Sequence, residues 1–189
     1  MSIRLQCRCG KLQGAIDESG TYARATCYCK DCQAYAHWLG SPGLLDANGG
    51  TDIVAMAPSK LHFTRGEEHL ACVTLTGRTL RWYAACCRTP LGNTARSPKV
   101  HYVGVPATCL APAEAVDAVV GPAGRARANT GSATGRVRPT PIGMALAGAR
   151  VAAGVLRARM RGLRHTPFFD DASGRPVRPP MPPATAAAE

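Results

Sequence analysis

No run of 18 apolar residues occurs among the 189, so no membrane-spanning helix is expected. The longest candidate, Ile142 to Leu156, is short, rich in alanine and broken by Arg150. An apolar leader with a basic lead-in is also lacking: residues 1–12 alternate polar, apolar and basic, and read as mature chain. Lysine is scarce, supplying only 4 of the 23 basic residues, so the basic excess is an arginine excess. No G-x-x-x-x-G-K-[ST] signature is present, which excludes a phosphate loop of that type, and no internal repeat is visible.

The net charge of +11 is spread along the chain. Residues 1–112 hold 12 Lys and Arg against 7 acids, and residues 113–189 hold 11 against 5. Such a balance supports weak, non-specific attraction to nucleic acid, through Arg125, Arg127, Arg136 and Arg138 and a basic helix further on. At this length one domain with an appendage builds a core without disulfide staples.

Cysteine is what the chain has in an informative arrangement. Seven of nine fall into three groups, Cys7-Arg8-Cys9-Gly10, Cys27-Tyr28-Cys29-Lys30-Asp31-Cys32 and Cys86-Cys87. An odd number of thiols and no export leader point to a reducing cytoplasm, where closely spaced thiols bind metal rather than pair. Thiolates two or three residues apart can turn toward one point about 2.3 Å away, the requirement of tetrahedral zinc. Zinc is therefore expected, with two ions.

The first 110 residues read as a mainly β, antiparallel domain, taken here as 1–112. Short extended runs at Ile3–Cys7, Leu12–Ile16, Tyr22–Tyr28, Asp52–Ala57, Lys60–Thr64, His69–Thr76, Thr79–Ala85 and Val100–Val105 alternate with turns. Asp31–Leu39 is a short helix ended by Gly40-Ser41-Pro42-Gly43. Residues 113–141 read as a linker or covering loop, and 142–189 as a C-terminal helix with a disordered tail from 175. Within Ile142–Arg164, Arg150, Arg157, Arg161 and Arg164 form a basic stripe, with Met144, Val151, Ala152, Val155, Leu156 and Leu163 on the other side. A helix packed on the β domain with a solvated arginine face is expected; an amphipathic helix on an anionic membrane is the sharper alternative, against which stand alanine and the lack of Trp or Phe. Phe168 and Phe169 are expected to tuck back onto the body.

Cys7 and Cys9 sit at a hairpin tip, and Cys86 with Cys87 is the natural donor of further ligands. Adjacent cysteines diverge if the backbone there is extended. Cys27, Cys29 and Cys32 offer three thiolates, leaving a fourth position open to a small thiol such as glutathione, with Lys30 offsetting the charge. His37, five residues after Cys32, would instead close the site as Cys₃His; Cys72 and Cys109 are further candidates.

At these residues the chain resembles the family of glutathione-dependent formaldehyde-activating enzymes and centromere protein V. The pattern there is C-x-C-G, then C-x-C-x-x-C, then C-x-x-C-G-[ST]-P-L, matched by Cys7–Gly10, Cys27–Cys32 and Cys87-Arg88-Thr89-Pro90-Leu91 over about residues 3–105. The first cysteine of the last motif falls at Ala84, with Cys86 offered instead. The resemblance implies a zinc-stabilised β-tent in which Cys7, Cys9 and Cys87 hold a structural zinc. It implies that Cys27, Cys29 and Cys32 hold a second, where a carbon–sulfur lyase would act on glutathione–aldehyde adducts. A non-catalytic zinc-stabilised binding or scaffold module with two structural sites is the alternative.

Overall fold

Two-residue alternation sorts the strands into two sheets with one core between them. The computed structural model describes residues 2–182. One sheet holds β1 (Ser2–Gln6), β2 (Gln13–Asp17), β5 (Leu61–Arg65) and β10 (Leu110–Ala111), in the antiparallel order β10-β1-β2-β5. The other holds β3 (Thr21–Cys27), β4 (Thr51–Met56), β6 (Leu70–Val73), β7 (Leu80–Ala84), β8 (Thr89–Thr94), β9 (Val103–Pro106) and β11 (Arg127–Ala128). Its order is β11-β3-β4-β9-β8-β7-β6, antiparallel except for the β11–β3 pair. The mainly β class expected from sequence is the class observed.

Register explains what each face does. Met56, Val103, Thr94 and Leu80 lie in one row across four strands, and three of them join Leu5, Ile16 and Trp82 in the core between the sheets. The neighbouring row, Ala23, Ala55, Gly104, Asn93 and Arg81, faces the other way. That outer face is small and polar, and two helices cover parts of it. Helix α1 (Lys30–Leu39) lays Tyr35, Ala36 and Leu39 on Tyr83 and Val73. It stops at Gly40, whose φ of 61° suits the left-handed cap. A short helix α2 (Ala113–Val120) follows β10, and α3 (Pro141–Met160) packs Met144, Ala147 and Val151 against Ala23 and Ala25 of β3.

The chain after α3 returns to the core. Phe168 is fully buried, 5.0 Å from the Trp82 ring of one sheet and 5.9 Å from the Phe63 ring of the other. Phe169 packs edge-on to Trp82.

Several expectations change. Ala113–Val120, read within a linker, is helical. Thr89–Thr94 is a strand despite Pro90, because the ladder slips at Trp82/Tyr83, where a residue without an N–H fits. Residues 175–182, read as disordered, lie along edge strand β6: Met181 N–H donates to the Cys72 carbonyl at 3.0 Å, and Arg178 donates to the carbonyls of Leu70 and Glu67. An edge strand has unpaired backbone groups, which explains the docking. The alanine tail from 183 lies outside the described residues. Leu156 on α3 and Leu163 beyond its end are exposed, 57% and 44%, because Met144, Ala147 and Val151 make the packed face. Among the described residues no helix is long and apolar enough to cross a membrane.

Phe168→Ala should cost about 3–5 kcal/mol in urea unfolding, the usual range for emptying a core phenylalanine site. His101 is 1% exposed, with Nε2 2.9 Å from the Ser59 hydroxyl. Burial, then the charge of His165, holds it below the ordinary 6.5. The unfolded chain therefore binds the proton first on acidification, and stability falls as pH drops below that value. Thermal melts between about pH 8 and pH 5 should show this slope, and His101→Gln should flatten it.

Candidate metal centre

The hairpin β1–β2 and the β7–β8 turn bring four sulfurs together. Gly10, at φ 74°, lets its N–H reach the Cys7 carbonyl at 2.9 Å, so Cys7 and Cys9 face the same side of the tip. Residues 85–88 form a tight turn rather than an extended strand, with Arg88 at φ 55° and its N–H on the Ala84 carbonyl at 2.7 Å. Adjacent Cys86 and Cys87 therefore both reach the cluster. Sulfur separations are 3.5 Å for Cys7–Cys9, 3.8 Å for Cys7–Cys86, 3.3 Å for Cys9–Cys86 and 3.9 Å for Cys86–Cys87. Four thiolates about 2.3 Å from one tetrahedral zinc stand roughly 3.8 Å apart, so the set fits.

Its surroundings act unequally on the four thiols. Leu12 N–H donates to the Cys7 sulfur at 3.3 Å, and the Thr89 hydroxyl lies 3.1 Å from Cys87. Burial pushes Cys7 and Cys86 up. Burial opposes ionisation of Cys87 too, but the Thr89 hydroxyl and the Cys9 backbone N–H hold it down at about 6.

The second cluster is local in sequence. Cys27 ends β3, Cys29 caps α1 and Cys32 sits in its first turn, where its N–H donates to the Cys29 sulfur at 3.4 Å. All three sulfurs lie within 4.8 Å of one another. Hydrogen bonds with Cys29 and Cys32 push Cys27 down to about 2, and hydrogen bonds with Cys27 and Cys29, then burial, push Cys32 up. Either cluster could hold a metal ion.

The cation beside it is Arg81, not the exposed Lys30 expected from sequence. Arg81 is 3% exposed, with both terminal nitrogens 3.9 Å from the Cys32 sulfur. It donates to Asp31 at 2.9 Å and Asn93 at 3.1 Å and lies over the Tyr35 ring. An arginine inside the apolar run Leu80-Arg81-Trp82-Tyr83 was the available signal. Two further neighbours had none. Asn129 donates to the Cys27 sulfur at 3.5 Å, carried there by β11, and Gln33 holds the Ser132 carbonyl at 2.9 Å. Tyr102 lies over Gly104 on the same outer face, and burial, then the charges of Cys27 and Cys32, push it up to about 12.

His37 does not join this cluster. Five residues beyond Cys32 it points about 140° away round the helix, and its Nδ1 lies 2.7 Å from the Gln33 carbonyl. Cys72 and Cys109 are buried singly, each pushed up to about 12 by burial, and belong to neither group.

Fold and cysteines together define a mainly β protein with two candidate metal sites. The chain belongs to the family of unknown function DUF6151, whose profile matches residues 1–147 and so includes Asn129. No curated protein matches it. Among solved structures, a crystal structure of a Rhodobacter sphaeroides structural-genomics protein is similar, with 18% identity and a TM-score of 0.45, covering 64% of this chain and 98% of that one.

Arg81→Met leaves the partly buried Asp31 carboxylate without its cation and should destabilise the fold by about 1–3 kcal/mol in urea unfolding. It should also raise the pH at which cobalt binds the second cluster, read from thiolate charge-transfer absorption, because the sulfurs lose their cation.

Proposed function

We propose that the chain binds two zinc ions, one structural at Cys7, Cys9, Cys86 and Cys87 and one open at Cys27, Cys29 and Cys32. The open site is read as that of a carbon–sulfur lyase acting on thiol–aldehyde adducts, as the resemblance to glutathione-dependent formaldehyde-activating enzymes implies. All-sulfur donor sets suit zinc among the common divalent ions. The observation that carries the reading is the unequal donor count: four sulfurs in one cluster, three beside a buried arginine in the other. Structural zinc sites are closed by four protein ligands, whereas catalytic ones keep a position free.

When bound there, zinc supplies Lewis acidity and holds an incoming thiol in its thiolate form. The chain's residues account for the remainder. Arg81 offsets the negative charge of the sulfurs. Tyr102, protonated at neutral pH, is the donor suited to the oxygen of the adduct. In the lyase direction the carbon–sulfur bond breaks, its electron pair stays on sulfur, and the hydroxyl proton leaves to solvent as the carbonyl forms. Addition of thiol to aldehyde is the reverse.

One observation favours the non-catalytic reading: the segment after β11 runs across Cys27, with Asn129 on its sulfur. The Cys29→Ser variant separates the two. An open site predicts two zinc per wild-type chain by elemental analysis, one in the variant, and unchanged circular dichroism. It also predicts that the wild type accelerates exchange between glutathione, formaldehyde and their adduct in NMR, and that the variant does not. A variant that unfolds, or a wild type that leaves exchange at the solution rate, would establish the second metal as structural.

A further inference from the structure

Helix α3 is packed on one side only. Ala147 and Ala158 are buried, and a Cβ at Gly154 would strike the Tyr22 ring. Its outward face is apolar: Ile142 is 76% exposed, Leu146 55%, Leu156 57% and Met160 74%. At about 100° per residue these four fall within about 80° of one another, along roughly 27 Å of helix. Ala149 and Ala153 fill the stripe between them, and the helix carries no acid.

A cleft of about 790 Å³ runs beside the stripe, between α3, the end of α2 and the start of β3. Arg125, Arg150, Arg157 and Arg161 line it, and among the described residues none of their side chains makes an ion pair. The acid on its wall, Asp117, is held by Arg24. His101 lines the same cleft, and its buried Nδ1 has no partner among the described residues. Arg150, Arg157 and Arg161 stand about 60–100° round the helix from the centre of the stripe, where long cationic side chains reach an interface.

We propose that this face docks on an anionic phospholipid bilayer, with Ile142, Leu146, Leu156 and Met160 in the acyl boundary and headgroup phosphates in the cleft. A bilayer supplies both halves of the match, an apolar layer and a plane of anions. A second copy of the chain would set the same cationic flank against itself. A soluble phosphate compound would fill the cleft and leave the stripe in water.

Co-sedimentation of the full chain with vesicles tests this. The chain should pellet with phosphatidylcholine vesicles that contain phosphatidylserine and stay in solution with phosphatidylcholine alone. Leu156→Ser/Met160→Ser should weaken binding at least tenfold. Arg150→Gln and Arg157→Gln should each weaken it about fivefold. These side chains are exposed, so circular dichroism should not change. The proposal fails if anionic vesicles do not pellet the chain, or if the serine variant pellets as the wild type does, which is charge adsorption alone. It fails equally if glycerophosphoserine competes as well as vesicles of the same lipid concentration, or if light scattering shows a dimer that the serine variant abolishes.

Discussion

The two-residue period of β7 is the constraint on which most of this molecule depends. Leu80, Trp82 and Ala84 enter the core between the sheets, while Arg81 and Tyr83 enter the layer beneath α1. A slip of one residue would exchange the two sets, placing a guanidinium among leucines and an indole against Asp31. Two hydrogen bonds lock the register: Trp82 Nε1 donates to the Thr94 hydroxyl at 2.9 Å, and Tyr35 donates to the Trp82 carbonyl at 3.1 Å. The strand that completes the hydrophobic core therefore also delivers the cation to the three-cysteine cluster. Stability and site geometry are specified by the same five residues.

The two clusters stand in different relations to the fold. The four-sulfur group joins the β1–β2 tip to the β7–β8 turn, and so one sheet to the other, across 79 residues between Cys7 and Cys86. A metal there would close a long loop and tie the edges of the core, since such binding energy is folding energy. The three-sulfur group spans six residues and closes nothing by itself. Its long-range partners, Arg81 and Asn129, arrive from other strands and adjust its charge.

Much of this was legible. Alternating short runs gave the mainly β class, and the C-x-C and C-x-x-C spacings gave the clusters. Cys86 with Cys87 was harder, because the side chains of neighbouring residues diverge in an extended chain, and only the left-handed Arg88 turn lets both converge. His37 was attractive by spacing alone, yet the phase that removes it was legible, since the helix expected over Asp31–Leu39 already holds both Cys32 and His37. Asn129 and Tyr102 were out of reach, since what recruits them is the parallel β11 pairing and the bare surface of Gly104, neither of which has a local pattern. Phe168 was visible as an aromatic beyond a helix, but that it bridges Phe63 and Trp82 depends on both sheets.

The contact between Asn129 and Cys27 spans 102 residues of chain. At ribosomal elongation rates of about 5–20 residues per second, that separation corresponds to roughly 5–20 s during synthesis. For that interval the three thiols have been made while the segment that will lie on Cys27 has not. The direction of translation thus fixes the order in which the parts of this cluster are made, the three thiols first and the segment on Cys27 second.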